Sequence, residues 1–257
     1  MIELGGRRVL VTGGSRGIGA ACCRLFARAG AEVLIHYQAR EDLAAALLAE
    51  LKGLPGPADA APPRHLVRRC DLRDAAAVRE MFAFVAAEWG TLDTLVNNAG
   101  IWVPNPLADL DAVGLDETLA VNVVGSFVCA AAALPLLEAA ADGNIVNVTS
   151  TAGQRGEAGY SPYAASKGAM IAATRSWACE LAPKVRVNSV APGWVDTDMT
   201  AAALAGAGRR EALAGIPLGR IATPEDIAGP VVFLASPLAR HITGEVLSVN
   251  GGSVLSG

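Results

Sequence analysis

The sequence predicts an α/β fold, with one doubly wound parallel sheet and helices on both faces. Three observations carry this. Short apolar runs alternate with longer helical stretches along the whole chain. The apolar runs lack a steady polar alternation, as expected of strands covered on both faces. A cluster of glycines stands where the first run ends and the first helix begins.

Taken in order, Arg8-Val-Leu-Val-Thr12 reads as a strand, and residues 17–28 as a helix stopped by Gly30. A second strand is expected over 32–37 and an alanine- and leucine-rich helix over 41–52. Gly, Pro and Ala crowd 53–63, which marks a surface loop. A third strand at 65–70 leads into a helix over 74–89, and a fourth strand follows at 92–96. Beyond it come a long helix over 112–140, broken near Asn122, and a strand at 144–149. The rest reads as a helix over 162–183, strands at 185–190 and 245–249, and a helix over 225–234 between them. This rhythm implies right-handed crossovers, and no linker divides the chain, so residues 1–257 are expected to form one domain.

Composition narrows the function classes. The chain of 257 residues is 52% hydrophobic and 18% charged, too apolar for disorder. With a net charge of -4 and no basic run, nucleic acid is not an expected partner. Five cysteines, an odd number without a CxxC pair, suggest packed thiols rather than disulfides or a metal site. No secretory pattern precedes the first strand, so a cytoplasmic location is expected. Residues 118–137 are uncharged over a membrane-spanning length. Asn122, Ser126 and Pro135 interrupt them and Glu138 ends them, so a buried helix is expected, with no membrane.

The first strand runs into Thr12-Gly-Gly-Ser-Arg-Gly-Ile-Gly19. Gly13, Gly17 and Gly19 permit a tight turn and a close approach to a pyrophosphate, and the helix after them offers free N–H groups. The GxxxGxG spacing departs from the common GxGxxG pattern.

That turn resembles the cofactor turn of the short-chain dehydrogenase/reductase family, and further motifs strengthen the resemblance. Asn97-Asn-Ala-Gly100 follows the fourth strand as that family's NNAG does, and Tyr163-Ala-Ala-Ser-Lys167 matches its YxxxK. Ser150 lies at the family spacing before Tyr163, and Asn122 stands where the family keeps a fourth catalytic residue. Pro192, Gly193 and Thr197 match its PGxxxT segment, and the likeness continues to the Val249-Asn-Gly-Gly252 tail.

The resemblance implies a Rossmann-type sheet that binds a nicotinamide dinucleotide. Gly13, Ser15, Arg16, Gly17, Ile18 and Gly19 are implied to hold the pyrophosphate, with Tyr37 at the ribose. Asp71 and Leu72 are implied at the adenine, and Asn98, Ala99 and Gly100 along the cofactor's length. Pro192, Gly193, Val195 and Thr197 are implied at the nicotinamide end, beside Tyr163 and Lys167. Asp71 has a plainer reading, as the cap of the helix that follows it.

Asn122, Ser150, Tyr163 and Lys167 are the candidate catalytic group. Free tyrosine titrates near a pKa of about 10 and is a poor base at neutral pH. Lys167 follows Tyr163 by one helical turn, so both lie on one face, and its cation is expected to favour the phenolate. Such a tyrosine can protonate a carbonyl oxygen or deprotonate an alcohol, while Ser150 hydrogen-bonds the same oxygen. By the resemblance, Asn122 holds a water near the lysine. Singly, each has a plainer reading: a solvated helix face, a turn serine, a helix break. Together, after a dinucleotide turn, they are read as one site.

Ile101, Trp102, Gln154, Arg155, Glu157, Tyr160 and Trp194 fall on loops after strand ends, where α/β sheets bind ligands. Trp102, Gln154, Tyr160 and Trp194 are the candidate substrate residues, with packing an equal reading for the two tryptophans. Residues 200–215 occupy the family's mobile lid.

The expected function is NADPH-dependent reduction of a ketone or 3-oxoacyl thioester. The alternatives are an alcohol or sugar dehydrogenase working in the oxidising direction and a non-catalytic binding protein of the same fold. NADPH is preferred over NADH because Tyr37 stands where an NAD-specific site carries a carboxylate, and Arg16 and Arg40 can meet a 2′-phosphate. Family members pair their long helices, so a homotetramer is expected. The chain looks most like the 3-oxoacyl-(acyl-carrier-protein) reductases. Docking of the acidic carrier is nevertheless doubtful, because residues 137–142 contain Glu138 and Asp142 and no cation. Lys184, Arg186, Arg209 and Arg210 are the remaining basic candidates.

Overall fold

The computed structural model describes residues 2–54 and 62–255, so most of the loop expected over 53–63 lies outside the described residues. The first half of the chain runs β1 (Arg8–Val11), α1 (Gly17–Arg28), β2 (Glu32–Tyr37), α2 (Glu41–Lys52), β3 (Leu66–Arg69), α3 (Ala75–Trp89) and β4 (Thr94–Asn97). Then come α4 (Ala112–Leu119), α5 (Gly125–Glu138), β5 (Gly143–Val148), α6 (Thr151–Arg155), α7 (Ser161–Leu181) and β6 (Val185–Pro192). The last elements are α8 (Ala207–Ala214), α9 (Pro224–Ala235) and β7 (Val246–Val249).

The strands form one seven-stranded sheet in the order β3-β2-β1-β4-β5-β6-β7, with every neighbouring pair parallel. Side chains alternate across it. Val9 and Val11 enter one core with Cys22 and Phe26 of α1 and Ile227 and Val231 of α9. Leu10, between them, enters the other core with Phe82 of α3, Cys129 of α5 and Met170 and Trp177 of α7. Both faces are dry, which is why the strands carry no polar alternation.

Local chemistry sets the helix starts. Thr223 and Asp226 form a reciprocal capping box ahead of α9, with Pro224 in its first turn. At α3 the cap is Asp74, whose carboxylate accepts from the Ala76 and Ala77 N–H groups. The capping alternative for Asp71 is thereby corrected: that side chain instead bonds Arg73.

The break expected near Asn122 is a π-helical turn over Ala120–Val124 between α4 and α5, with Asn122 buried in it. The Ala112–Glu138 span is long and apolar enough to cross a membrane, yet it is built into this fold, with α5 packed on α3 and β4. One third of the apolar window is buried in the single chain, with Cys129, Ala133 and Leu137 in the core, and Val124 and Phe127 are exposed. The sequence reading also missed the short helix α6 and, in the lid, α8. Cys22, Cys23, Cys70 and Cys129 are buried thiols, whereas Cys179 is exposed.

Candidate active site

The strand order reverses between β1 and β4, and a cleft of about 340 Å³ opens at the carboxyl ends of the strands there. Its floor is the glycine turn. Gly13 and Gly17 have φ of 63° and 52°, a region that favours glycine. A Cβ at Gly19 would overlap the Gly13 carbonyl. Arg16 provides no side-chain cap to α1, so the first-turn N–H groups remain available to an anion. A cradle without side chains before an uncapped helix suits the pyrophosphate of a dinucleotide.

Buried side chains hold this turn. Asn98 Nδ2 donates to the Thr12 carbonyl at 2.8 Å, and Thr12 Oγ1 accepts from the Asn98 and Ala99 N–H groups. His36 Nδ1 accepts from the Gly13 N–H at 2.9 Å, and its Nε2 donates to the Cys70 carbonyl at 3.0 Å. The neutral imidazole therefore links the turn to the segment carrying Asp71, and burial lowers its pKa to about 4. Sequence reading passed over His36, because nothing in a strand residue's spacing shows what it reaches across the sheet.

Each expected cofactor residue, from Gly13, Ser15 and Ile18 through Asp71 and Leu72 to Pro192, Val195 and Thr197, lines the cleft. So does Arg73, which the sequence reading did not single out. Tyr37 ends β2 with Gln38, Ala39 and Arg40 beside it on the same wall. Arg40 is paired with Asp42, and Arg16 faces Asp198 at 3.8 Å.

At the other end, Ser150 caps α6 and hydrogen-bonds Tyr163. A Cβ on Gly153 would crowd the Lys167 carbonyl carbon, so glycine lets α6 lie against α7. The Lys167 Nζ donates to the Val148 carbonyl at 2.8 Å and lies 5.7 Å from the Tyr163 ring centre. Burial lowers the lysine pKa to about 8.

Tyr163 lines the cleft half-buried, with opposing influences on its hydroxyl. Desolvation is the largest and raises its pKa to about 12, the Ser150 hydrogen bond opposes that, and the Glu157 carboxylate adds to it. Asn122 Oδ1 accepts from the Ile101 N–H at 2.8 Å, and its Nδ2 donates to the Ile101 carbonyl and to Ser166 Oγ, both at 3.0 Å. The amide clamps the loop after β4.

None of the candidate substrate residues Trp102, Gln154, Tyr160 and Trp194 is among those that line the cleft. Trp102 stacks on Tyr160 with ring centres 4.4 Å apart and meets Trp194 edge-on at 6.0 Å. Trp102 Nε1 donates to Glu157 at 3.2 Å. Gln154 turns away to Ser248 of β7. The lid has a small core of Leu204, Ala212, Ile216 and Ile221, with Trp194 packed against it.

A cleft that runs from Asp71 past the glycine turn to a half-buried tyrosine and a buried lysine is that of a nicotinamide-dependent oxidoreductase. The comparisons agree. A family model described as enoyl-(acyl carrier protein) reductase matches residues 13–254. The chain is 38% identical to a 3-oxoacyl-(acyl-carrier-protein) reductase of Thermotoga maritima, over 99% of this chain and all of the relative. It is 40% identical to the cis-4-hydroxycyclohexanecarboxylate dehydrogenase of Sinomonas cyclohexanicum, over 96% of each. A short-chain dehydrogenase of Burkholderia cenocepacia, solved in complex with NADP, superposes with a TM-score of 0.89 at 38% identity, covering 98% of this chain and 99% of that one. The chain belongs to the short-chain dehydrogenase/reductase family and is an enzyme acting on CH–OH donors with a nicotinamide cofactor.

The His36 bridge sets a pH dependence. Its folded pKa is depressed, so the unfolded chain binds the extra proton between pH 6.5 and about 4. Stability is complete above that window and falls as pH drops through it, by about 2 to 3 kcal/mol at pH 4.5. His36→Asn should lose correspondingly less than the wild type between pH 7 and 4.5. Urea unfolding at fixed protein concentration checks this, and equal losses would contradict it.

Proposed function

We propose that the enzyme reduces a ketone or 3-oxoacyl thioester with NADPH. The arrangement that carries this is Tyr163 hydrogen-bonded to Ser150 at the cleft, with the Lys167 Nζ 5.7 Å from the tyrosine ring centre. Ser150 and Tyr163 hydrogen-bond the carbonyl oxygen, and Tyr163 transfers its proton as negative charge develops there. Lys167 steadies the phenolate that is left, and Asn122 keeps the loop of Gly100 and Ile101 beside the lysine. Bound nicotinamide supplies the hydride. Oxidation of an alcohol uses the same groups in reverse and requires the phenolate. The dehydrogenase named among the relatives favours it as the second reading.

NADPH is preferred because no carboxylate ends β2, and Arg16 and Arg40 stand at the cleft wall near Tyr37. Their partners, Asp198 and Asp42, are exposed and can yield to a phosphate dianion. A carrier protein finds little purchase. Lys184 lies 3.9 Å from Glu138, and Arg186 is largely buried and held by Asp142 and the Leu234 and Ala239 carbonyls. Small ketones or coenzyme A thioesters are therefore the favoured substrates. The exposed Val124 and Phe127, the latter edge-on to Trp177 of α7, give α5 and α7 an apolar outer face, consistent with a homotetramer.

Two results are expected. Tyr163→Phe should lower kcat on the order of a thousandfold while leaving NADPH binding, followed by fluorescence, unchanged; near-normal turnover would refute the mechanism. Wild-type kcat/KM should favour NADPH over NADH. The double variant Arg16→Ala, Arg40→Ala should cut that preference at least about tenfold, and a wild-type preference for NADH would refute the assignment.

A further inference from the structure

A dinucleotide has to be held at two places at once, and here those places follow different strands. The glycine turn follows β1 and Asp71 follows β3, with β2 between them in the sheet. The β1–β2 ladder ends at Val11 and Ile35, and the β2–β3 ladder ends at Tyr37 and Arg69. The register of the strands therefore stops short of both places, and His36 of β2 carries the spacing onward. It lines the cleft and is 2% exposed. Its Nδ1 accepts from the Gly13 N–H at 2.9 Å, and its Nε2 donates to the Cys70 carbonyl at 3.0 Å. Its backbone carbonyl also accepts from the Gly14 N–H at 2.8 Å.

A neutral imidazole suits this position. The Gly13 N–H can only donate and the Cys70 carbonyl can only accept, so the two partners fix the tautomer. The ring joins its acceptor to its donor with no rotor between them, which makes the span between the partners stiff. Loss of either bond leaves a backbone group without its partner beside a buried side chain.

A stiff span matters to a ligand that reaches both places. Once one half is bound, the other binds in an intramolecular step whose strength depends on the spacing of the two sites. A loose span has to be ordered on binding, which lowers affinity. A fragment that reaches only one place is indifferent to the span.

We infer that His36 is a positioning residue for the dinucleotide: its imidazole fixes the distance between the glycine turn and the segment of Asp71, and so strengthens binding of the whole cofactor but not of its adenosine half. This rests on the reading of the cleft as an NADPH site and adds a residue that touches the turn rather than the ligand.

The test measures binding alone and needs no substrate. NADPH is titrated into the full chain by fluorescence, and adenosine 2′-phosphate, which lacks the pyrophosphate, is measured by its displacement of NADPH. His36→Asn keeps an acceptor for the Gly13 N–H but is too short to hold the Cys70 carbonyl as well. It should weaken NADPH at least about fivefold, the effect of one ordinary buried hydrogen bond. His36→Leu breaks both bonds and should weaken NADPH about tenfold or more. Adenosine 2′-phosphate should change less than about twofold in either variant. Urea transitions show whether each variant is folded, and His36→Asn alone decides the matter if His36→Leu is not. An Asn variant that binds NADPH as the wild type does overturns the inference. So does a parallel loss of NADPH and adenosine 2′-phosphate, which a merely structural role would give. A wild type that binds NADH more tightly than NADPH refutes the cofactor preference alone, and the same comparison is then made with NADH and adenosine. A wild type that binds neither dinucleotide overturns the reading of the cleft and this inference with it.

Discussion

The Lys167 ammonium lies buried between α7 and the end of β5, donating to the Val148 carbonyl at 2.8 Å, and much of the site is arranged to keep it there. A lysine charge in such a place is costly unless it is partnered, which is the origin of its depressed pKa. Its bond to a strand carbonyl ties the catalytic helix to the sheet at the point where chemistry occurs. Further buried links repeat the tie. Asn97 donates to Asn147 and Asn147 to Thr174 of α7, so an amide chain crosses from β4 through β5 to the helix. Asn122 donates to Ser166, whose hydroxyl donates to the Tyr163 carbonyl. Sliding α7 would strand several of these groups in an apolar core at a cost of about 1–3 kcal/mol each. The helix therefore has one position, and Tyr163 has one place to stand.

The same logic shapes the cofactor end. The strand order reverses between β1 and β4, which opens a cleft at the carboxyl ends of the strands there. The glycine turn that fills its floor has no side chains to hold it, so its neighbours do so. Asn98 after β4 and His36 of β2 bond its backbone, and Thr12 Oγ1 ties its first residue to the Asn98 and Ala99 N–H groups. The turn stays open to a ligand above because it is pinned from below.

Much of this was legible in the sequence. The alternation of β and α, the glycine turn after β1 and the one-turn spacing of Tyr163 and Lys167 are local patterns, and local patterns survive without coordinates. The helix break at Asn122 was legible for the same reason, since a polar residue stood inside an apolar run. What was not legible is whatever depends on a partner distant in sequence. Asp71 reads as a cap on paper, but α3 starts one turn later and Asp74 caps it while Asp71 bonds Arg73. Arg73 and His36 carry no motif, and the role of His36 comes from segments that meet across the sheet. Charge near the tyrosine can be counted in a sequence and desolvation cannot, and desolvation is the largest influence on Tyr163 in the cofactor-free chain. Composition shows how apolar α5 is without showing which of its faces the chain itself covers.

The central claim is that burial keeps Tyr163 protonated until cofactor and substrate arrive. The chain has three tyrosines, Tyr37, Tyr160 and Tyr163, so their ionisation can be separated by ultraviolet difference titration of the wild type against Tyr163→Phe. Without cofactor, the difference between the two curves should show a Tyr163 midpoint well above 10, toward 12. A Tyr163 midpoint at or below 10 in the cofactor-free enzyme would show that the lysine outweighs desolvation, and would contradict the account.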